Sequence, residues 1–126
     1  MTEFRQITDT GRLDYKIMDY RMMEGMISVA CIDLERLTID GLKAYRMQAY
    51  ATKRAVEATF QTGLATFWAR NKQDLWTPGS VDGNTMAVRG IYTDCDRDSL
   101  VYDVDPAGPS CYKDVDSCFE RPESEN

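Results

Sequence analysis

The sequence predicts a mainly α protein: a long amphipathic helix or helical hairpin over about residues 10–73, followed by a small acidic tail that holds a β-hairpin. Three observations predict it. Apolar residues recur every three or four positions between Leu13 and Phe67, which is helical periodicity. All four prolines (Pro78, Pro106, Pro109 and Pro122) lie after residue 77, so nothing breaks a helix before that point. Charge divides along the chain as well. The net charge of -6 resolves into -3 over residues 1–40, +5 over 41–73 and -8 over 74–126.

Asp9 or Thr10 can cap the start of the helical region, and Asp14 sits favourably in its first turn. In its first part Tyr20, Met23, Ile27, Ala30, Leu34 and Leu37 keep a 3,4 seam. In its second part the stripe runs through Leu42, Tyr45, Ala49, Thr52, Val56, Phe60, Gly63 and Phe67, offset by one residue from the first. The slip falls at Thr38-Ile39-Asp40-Gly41, so the region is either a hairpin broken there or a continuous helix with a stutter. The break is favoured, because an acidic first arm can then pair with a basic second arm. Arg70 and Lys72 suit a helix C-terminus, and Thr77-Pro78-Gly79 ends it. Beyond lie two strand-like segments, 85–92 and 100–104, with the polar TDCDRDS between them as a hairpin tip. The expected organisation is a helical body over 1–79 and an acidic, cysteine-containing tail over 80–126.

With 126 residues and no histidine, the chain has no Ser-His or Cys-His nucleophile pair and no imidazole metal ligand. Its acidity argues against a surface that grips nucleic acid. There is no secretory signal and no membrane-spanning run, which points to a cytoplasmic or virion setting rather than a secreted one. Cys31, Cys95, Cys111 and Cys118 have irregular spacing for zinc; three of them lie late in the chain, where a disulfide could form in an oxidising compartment.

The sharpest chemical pattern is Asp94-Cys95-Asp96-Arg97-Asp98, running on to Asp105. Acids at loop positions 1, 3, 5 and 12 are similar to a calcium loop, so Asp94, Asp96, Asp98 and Asp105 are candidate ligands and calcium the candidate ion. The pattern lacks the loop's glycine and its final glutamate, which favours a solvated acidic turn. A basic patch of Lys43, Arg46, Lys53 and Arg54 reads as a helix face for phosphate or an acidic surface. Trp68 and Trp76 read as anchors between body and tail, or as binding hot spots if exposed.

Catalysis finds little support in these patterns. The leading expectation is a non-enzymatic structural or assembly protein, with a virion or phage component among the kinds that fit its size. It would self-associate or dock into a larger complex through Tyr20, Met23, Ile27, Leu34, Leu37, Leu42, Val56, Phe60 and Phe67. The alternatives are a small acidic inhibitor of a basic groove, or an extracellular module held by calcium and a disulfide.

Overall fold

A computed structural model of the chain describes residues 5–6, 18–21, 25–110 and 117–119. The architecture is mostly β, and among the described residues there is no long helix. Seven strands form: β1 (Arg5–Gln6), β2 (Met26–Ile32), β3 (Tyr45–Thr52), β4 (Phe67–Ala69), β5 (Asp74–Trp76), β6 (Met86–Thr93) and β7 (Ser99–Pro106). Two helices accompany them, α1 (Gly41–Ala44) and α2 (Lys53–Thr62), with a short 3-10 turn at Leu34–Arg36. One sheet has the order β1-β6-β7-β2-β3, and β4 and β5 make a separate hairpin. Within the sheet only β2 and β7 run parallel.

The mainly α expectation fails because an apolar segment with residues on both faces satisfies a three-four period and a period of two alike. In β2 (MISVACI), Ile27, Val29 and Cys31 point to the core, and Met26 and Ile32 are also buried, from the other face. Such a strand carries no clean helical blank face. Gly25 precedes it at φ 88°, a left-handed conformation that starts the strand and ends any helical run. Among the described residues, the expected helical body keeps α2 and the single turn of α1. Thr52 caps its first turn, its hydroxyl accepting from the Ala55 N–H at 3.2 Å, and Gly63 closes it at φ 77°.

Helix α2 lays Ala55, Val56 and Thr59 on one face of the sheet, against Ile27, Val29, Ala51, Leu100 and Tyr102. The Thr59 hydroxyl donates to the Ala55 carbonyl at 3.1 Å and accepts from the Thr66 N–H at 3.0 Å, which ties the helix to the segment entering β4. Phe67 then stacks on Tyr102 at 6.0 Å. Residues expected at an interaction surface therefore serve this core instead. Ile27, Val56 and Phe67 are fully buried, and Tyr20 and Phe60 pack against the same cluster. Leu34 lies in the 3-10 turn, while Leu37 and Leu42 are partly exposed; Met23 lies outside the described residues.

The hairpin expected in the tail is where the structure places β6 and β7, but it is no appendage. β7 pairs with β6 on one side and with β2 on the other, so the sheet joins residues from both sides of Thr77–Gly79. A bulge between Val88 and Gly90 makes Arg89 the extra residue. Its guanidinium reaches Asp33 at 2.6 Å, Asp103 at 2.9 Å and Glu35 at 3.1 Å, pinning the end of β2 across β7. The opposite sheet face, which α2 leaves uncovered, presents Ser28, Gln48, Tyr50 and Ser99.

Candidate functional site

The uncovered face forms one end of a trough. A cavity of about 490 Å³ is lined by Met26, Ser28, Gln48, Tyr50, Asp94, Asp98 and Ser99. The register explains the grouping: Tyr50 is opposite Ser28, and Ser28 is opposite Ser99, so one row leads from β3 to the β6–β7 turn. The Ser28 and Ser99 hydroxyls share a hydrogen bond at 2.9 Å. A second cavity of about 880 Å³ shares Gln48 and Tyr50, and continues around the edge strand β3 to Trp68, Arg70, Asn71, Lys72 and Trp76 of the β4–β5 hairpin. Gln48 and Tyr50 thus form the common wall of one groove with an acidic end and a basic, aromatic end.

The acidic end is set by the β6–β7 turn. Arg97 takes φ 64°, and the Asp94 carboxylate accepts from the N–H groups of Asp98 at 3.1 Å and Ser99 at 3.2 Å. The Asp19 N–H donates to the Arg97 carbonyl at 2.7 Å, which braces the tip from outside the sheet. One carboxylate oxygen from each of Asp94, Asp96 and Asp98 lies within 4.8 Å of the others. The crowding has an electrostatic signature. Hydrogen bonding to Asp94 and Asp96, with their charge, pushes the Asp98 carboxyl up to about 6. Partial burial pushes Asp94 the same way, but its hydrogen bonds from Asp96, Asp98 and the backbone amides outweigh this and lower its pKa.

Three of the four predicted acids are therefore brought together. Asp105 is not one of them: it lies near the far end of β7, opposite Ala87. An all-oxygen set with excess negative charge fits a hard divalent cation such as calcium or magnesium. The basic patch does not form. Lys43 is on α1, Lys53 and Arg54 begin α2, and Arg46 is buried on β3. The Arg46 guanidinium donates to the Ser110 hydroxyl and to the carbonyls of Lys43 and Gly108, holding the late chain against β3. Burial pushes the Cys31 thiol up, so it belongs to the core; Cys95 is exposed beside the acids, and Cys111 lies outside the described residues.

Sequence reasoning missed the basic end. Arg70 and Lys72 suit a helix terminus by local pattern, whereas in the structure Trp68, Arg70 and Lys72 alternate along a strand and its turn. That spacing of two, ahead of a second tryptophan at 76, is the signal that could have found them.

Comparison with known proteins agrees with a catalytic reading. The phosphoribosyl-AMP cyclohydrolase family matches residues 47–120, a span that contains both ends of the trough. A phosphoribosyl-AMP cyclohydrolase of Lacticaseibacillus casei is 36% identical over 104 residues, covering 82% of this chain and 89% of the relative. That of Cenarchaeum symbiosum is 44% identical over 73 residues, covering 58% of this chain and 68% of the relative. The histidine biosynthesis bifunctional protein HisIE of Deinococcus radiodurans is 44% identical over 79 residues, covering 63% of this chain and 36% of the relative. These matches overturn the expected non-enzymatic assembly or virion protein. Lack of histidine excludes imidazole chemistry, and it does not exclude hydrolysis served by carboxylates. The chain belongs to the phosphoribosyl-AMP cyclohydrolase family.

Proposed function

We propose that the chain opens a ring of phosphoribosyl-AMP by adding water, as a step of histidine biosynthesis. The observation that carries this reading is the trough itself, in which a triad of carboxylates and an unquenched basic hairpin share one wall within the span that matches the family. The substrate class has the same two parts: an adenine ring to be attacked, and phosphate esters to be held.

Hydrolytic opening of such a ring requires water to add at an electrophilic carbon next to a ring nitrogen. The carbon–nitrogen bond then breaks, and the departing nitrogen takes a proton. Asp94, Asp96 and Asp98 would hold a divalent cation, which would supply stabilisation of negative charge developing on the reacting atoms. The proton released by water passes to a carboxylate at the acidic end, since the chain holds no imidazole. Gln48 and Tyr50 line the passage between the ends and offer hydrogen bonds that orient the ring.

The test is incubation of the purified chain with phosphoribosyl-AMP, with and without chelator, followed by mass analysis. The expected product is heavier than substrate by one water. Asp94→Asn with Asp98→Asn is expected to slow its formation by ~10²–10³-fold, the order found when charge stabilisation at a reacting centre is removed. No such product from the wild-type chain would sink the reading. Self-association remains part of the proposal, supported by exposure of Leu37, Ile39, Leu42 and Tyr45. An enzyme acting on free metabolites suits a cytoplasmic setting, and no helix among the described residues is long and apolar enough to cross a membrane.

A further inference from the structure

Arg70 and Lys72 both stand exposed in the tight turn between β4 and β5. Among the described residues no carboxylate forms an ion pair with either of them. The turn is firmly built. The Lys72 N–H donates to the Ala69 carbonyl at 3.2 Å, Gln73 takes φ 53°, and the Gln73 side-chain amide donates to the Arg70 carbonyl at 2.8 Å. The Arg70 guanidinium rests over the Tyr50 ring at 5.6 Å, which holds this exposed side chain on the wall of the trough. Trp76, the last residue of β5, packs on Phe67 at 6.1 Å yet stays 38% exposed, so a core contact fixes one side of the indole while another side lines the cavity.

We propose that the β4–β5 hairpin is a seat for a purine 5′-monophosphate: Arg70 and Lys72 take the phosphate and Trp76 takes the face of the base. This rests on the ring-opening reading for its place in catalysis, but binding at the seat is a separate property. A phosphate monoester near neutrality carries more than one negative charge, and a planar guanidinium with an adjacent ammonium matches it by bidentate and point-charge contacts. The indole supplies an apolar plane of the right size for a purine. The arrangement also orients the substrate. With its phosphate on Arg70 and Lys72 and one face of its base on Trp76, the nucleotide turns the free edge of the purine past Gln48 and Tyr50, toward the carboxylates at the other end.

The two tryptophans of the chain both line this cavity, so intrinsic fluorescence reports on it directly. Titration with adenosine 5′-monophosphate, adenosine and ribose 5-phosphate, in chelator and without turnover, measures the seat by itself. The monophosphate nucleotide is expected to bind at least ~10-fold more tightly than either fragment, with affinity that falls as salt rises. Arg70→Gln with Lys72→Gln is expected to abolish the advantage over adenosine, and Trp76→Leu the advantage over ribose 5-phosphate. Lys53→Gln with Arg54→Gln, which removes an exposed basic pair outside the trough, is expected to leave all three affinities unchanged. In turnover the Arg70/Lys72 variant is expected to raise KM ~10-fold or more with kcat within about twofold, because the contact is equal in ground and transition states. Equal binding of nucleotide and adenosine, or loss on changing Lys53 and Arg54 instead, would overturn the proposal. A chain that binds the nucleotide as described but opens no ring would fail the function and keep the seat.

Discussion

Replacing Arg89 by methionine isolates the electrostatic pin that holds the sheet together behind the trough. Arg89 sits in the β6 bulge and donates to Asp33 at 2.6 Å, to Asp103 at 2.9 Å and to the Val104 carbonyl at 2.6 Å. The side chains of Asp33 and Asp103 are 14% and 13% exposed, and that of Arg89 is 27% exposed. Partial burial pulls the guanidinium pKa down, but hydrogen bonds and charge from Asp103 and Asp33 outweigh it and the net shift is upward. Breaking a fully buried pair costs about 3–5 kcal/mol, and an exposed pair is worth about 0–1. This cluster lies between, nearer the buried limit, and Glu35, whose side chain is 76% exposed, adds little. Arg89→Met is therefore expected to lose about 2–4 kcal/mol in urea unfolding, with the m-value unchanged. Most of that loss is the strain of leaving two carboxylates close together without a cation. Adding Asp33→Asn and Asp103→Asn to the Arg89→Met chain is expected to restore at least half of it. A loss within about 0.5 kcal/mol of zero, or a triple variant no more stable than the single, would refute the reasoning.

Three further outcomes follow from other parts of the fold. Asp98 holds its proton up to about 6 in the folded chain against an ordinary 3.8, so between those values the native state binds more protons than the unfolded one. Stability in chelator should then fall as pH rises from about 4 through 6, and magnesium or calcium should raise the melting temperature more at pH 7 than at pH 5; an equal rise at both would remove the cation from the acid triad. Gly79 stands at φ 84°, where a Cβ would come within 2.1 Å of the Asn84 backbone, so Gly79→Ala should cost about 2 kcal/mol or more by chemical denaturation. Thr59→Val leaves the buried Thr66 N–H without its acceptor and should cost about 1–3 kcal/mol, with far-UV circular dichroism of the native state unchanged.

How much was legible in the sequence depended on whether a segment had one buried face or two. The β6–β7 strands and their polar turn could be read, because TMAVRGIY and LVYDV are rich in β-branched and aromatic residues and are punctuated by TDCDRDS. Asp94, Asp96 and Asp98 stand close in sequence, and the turn brings their carboxylates together without Asp105. β2 and β3 could not be read. Both place apolar residues on each face, and the alanines of β3 serve close strand packing as readily as close helix packing. Arg46 illustrates the residue-level version of this failure. It was placed on a solvated basic face, yet it is 3% exposed and satisfied by carbonyls and a hydroxyl from residues 43, 108 and 110. Those partners are 62 and 64 residues away in two cases, a distance that no local pattern encodes.

The sum of charge misled for the same reason that the site can work. The net +5 of residues 41–73 would be neutralised by the -8 of residues 74–126 if the fold let them meet. It does not. The acids Asp94, Asp96 and Asp98 are held at the turn beyond β6, the bases Arg70 and Lys72 at the turn beyond β4, and Gln48 and Tyr50 of β3 stand between them. None of these five charges forms an ion pair with another among the described residues. Arg89, by contrast, shows what this chain does with charge that serves the fold: it buries the group among partners and closes the network. A trough whose two ends carry opposite charge that is neither paired nor buried stores the interactions for something that enters it. A ligand with phosphate at one end and a ring open to attack near the other is complementary to that separation, and an acidic peptide or a polyanion satisfies only half of it.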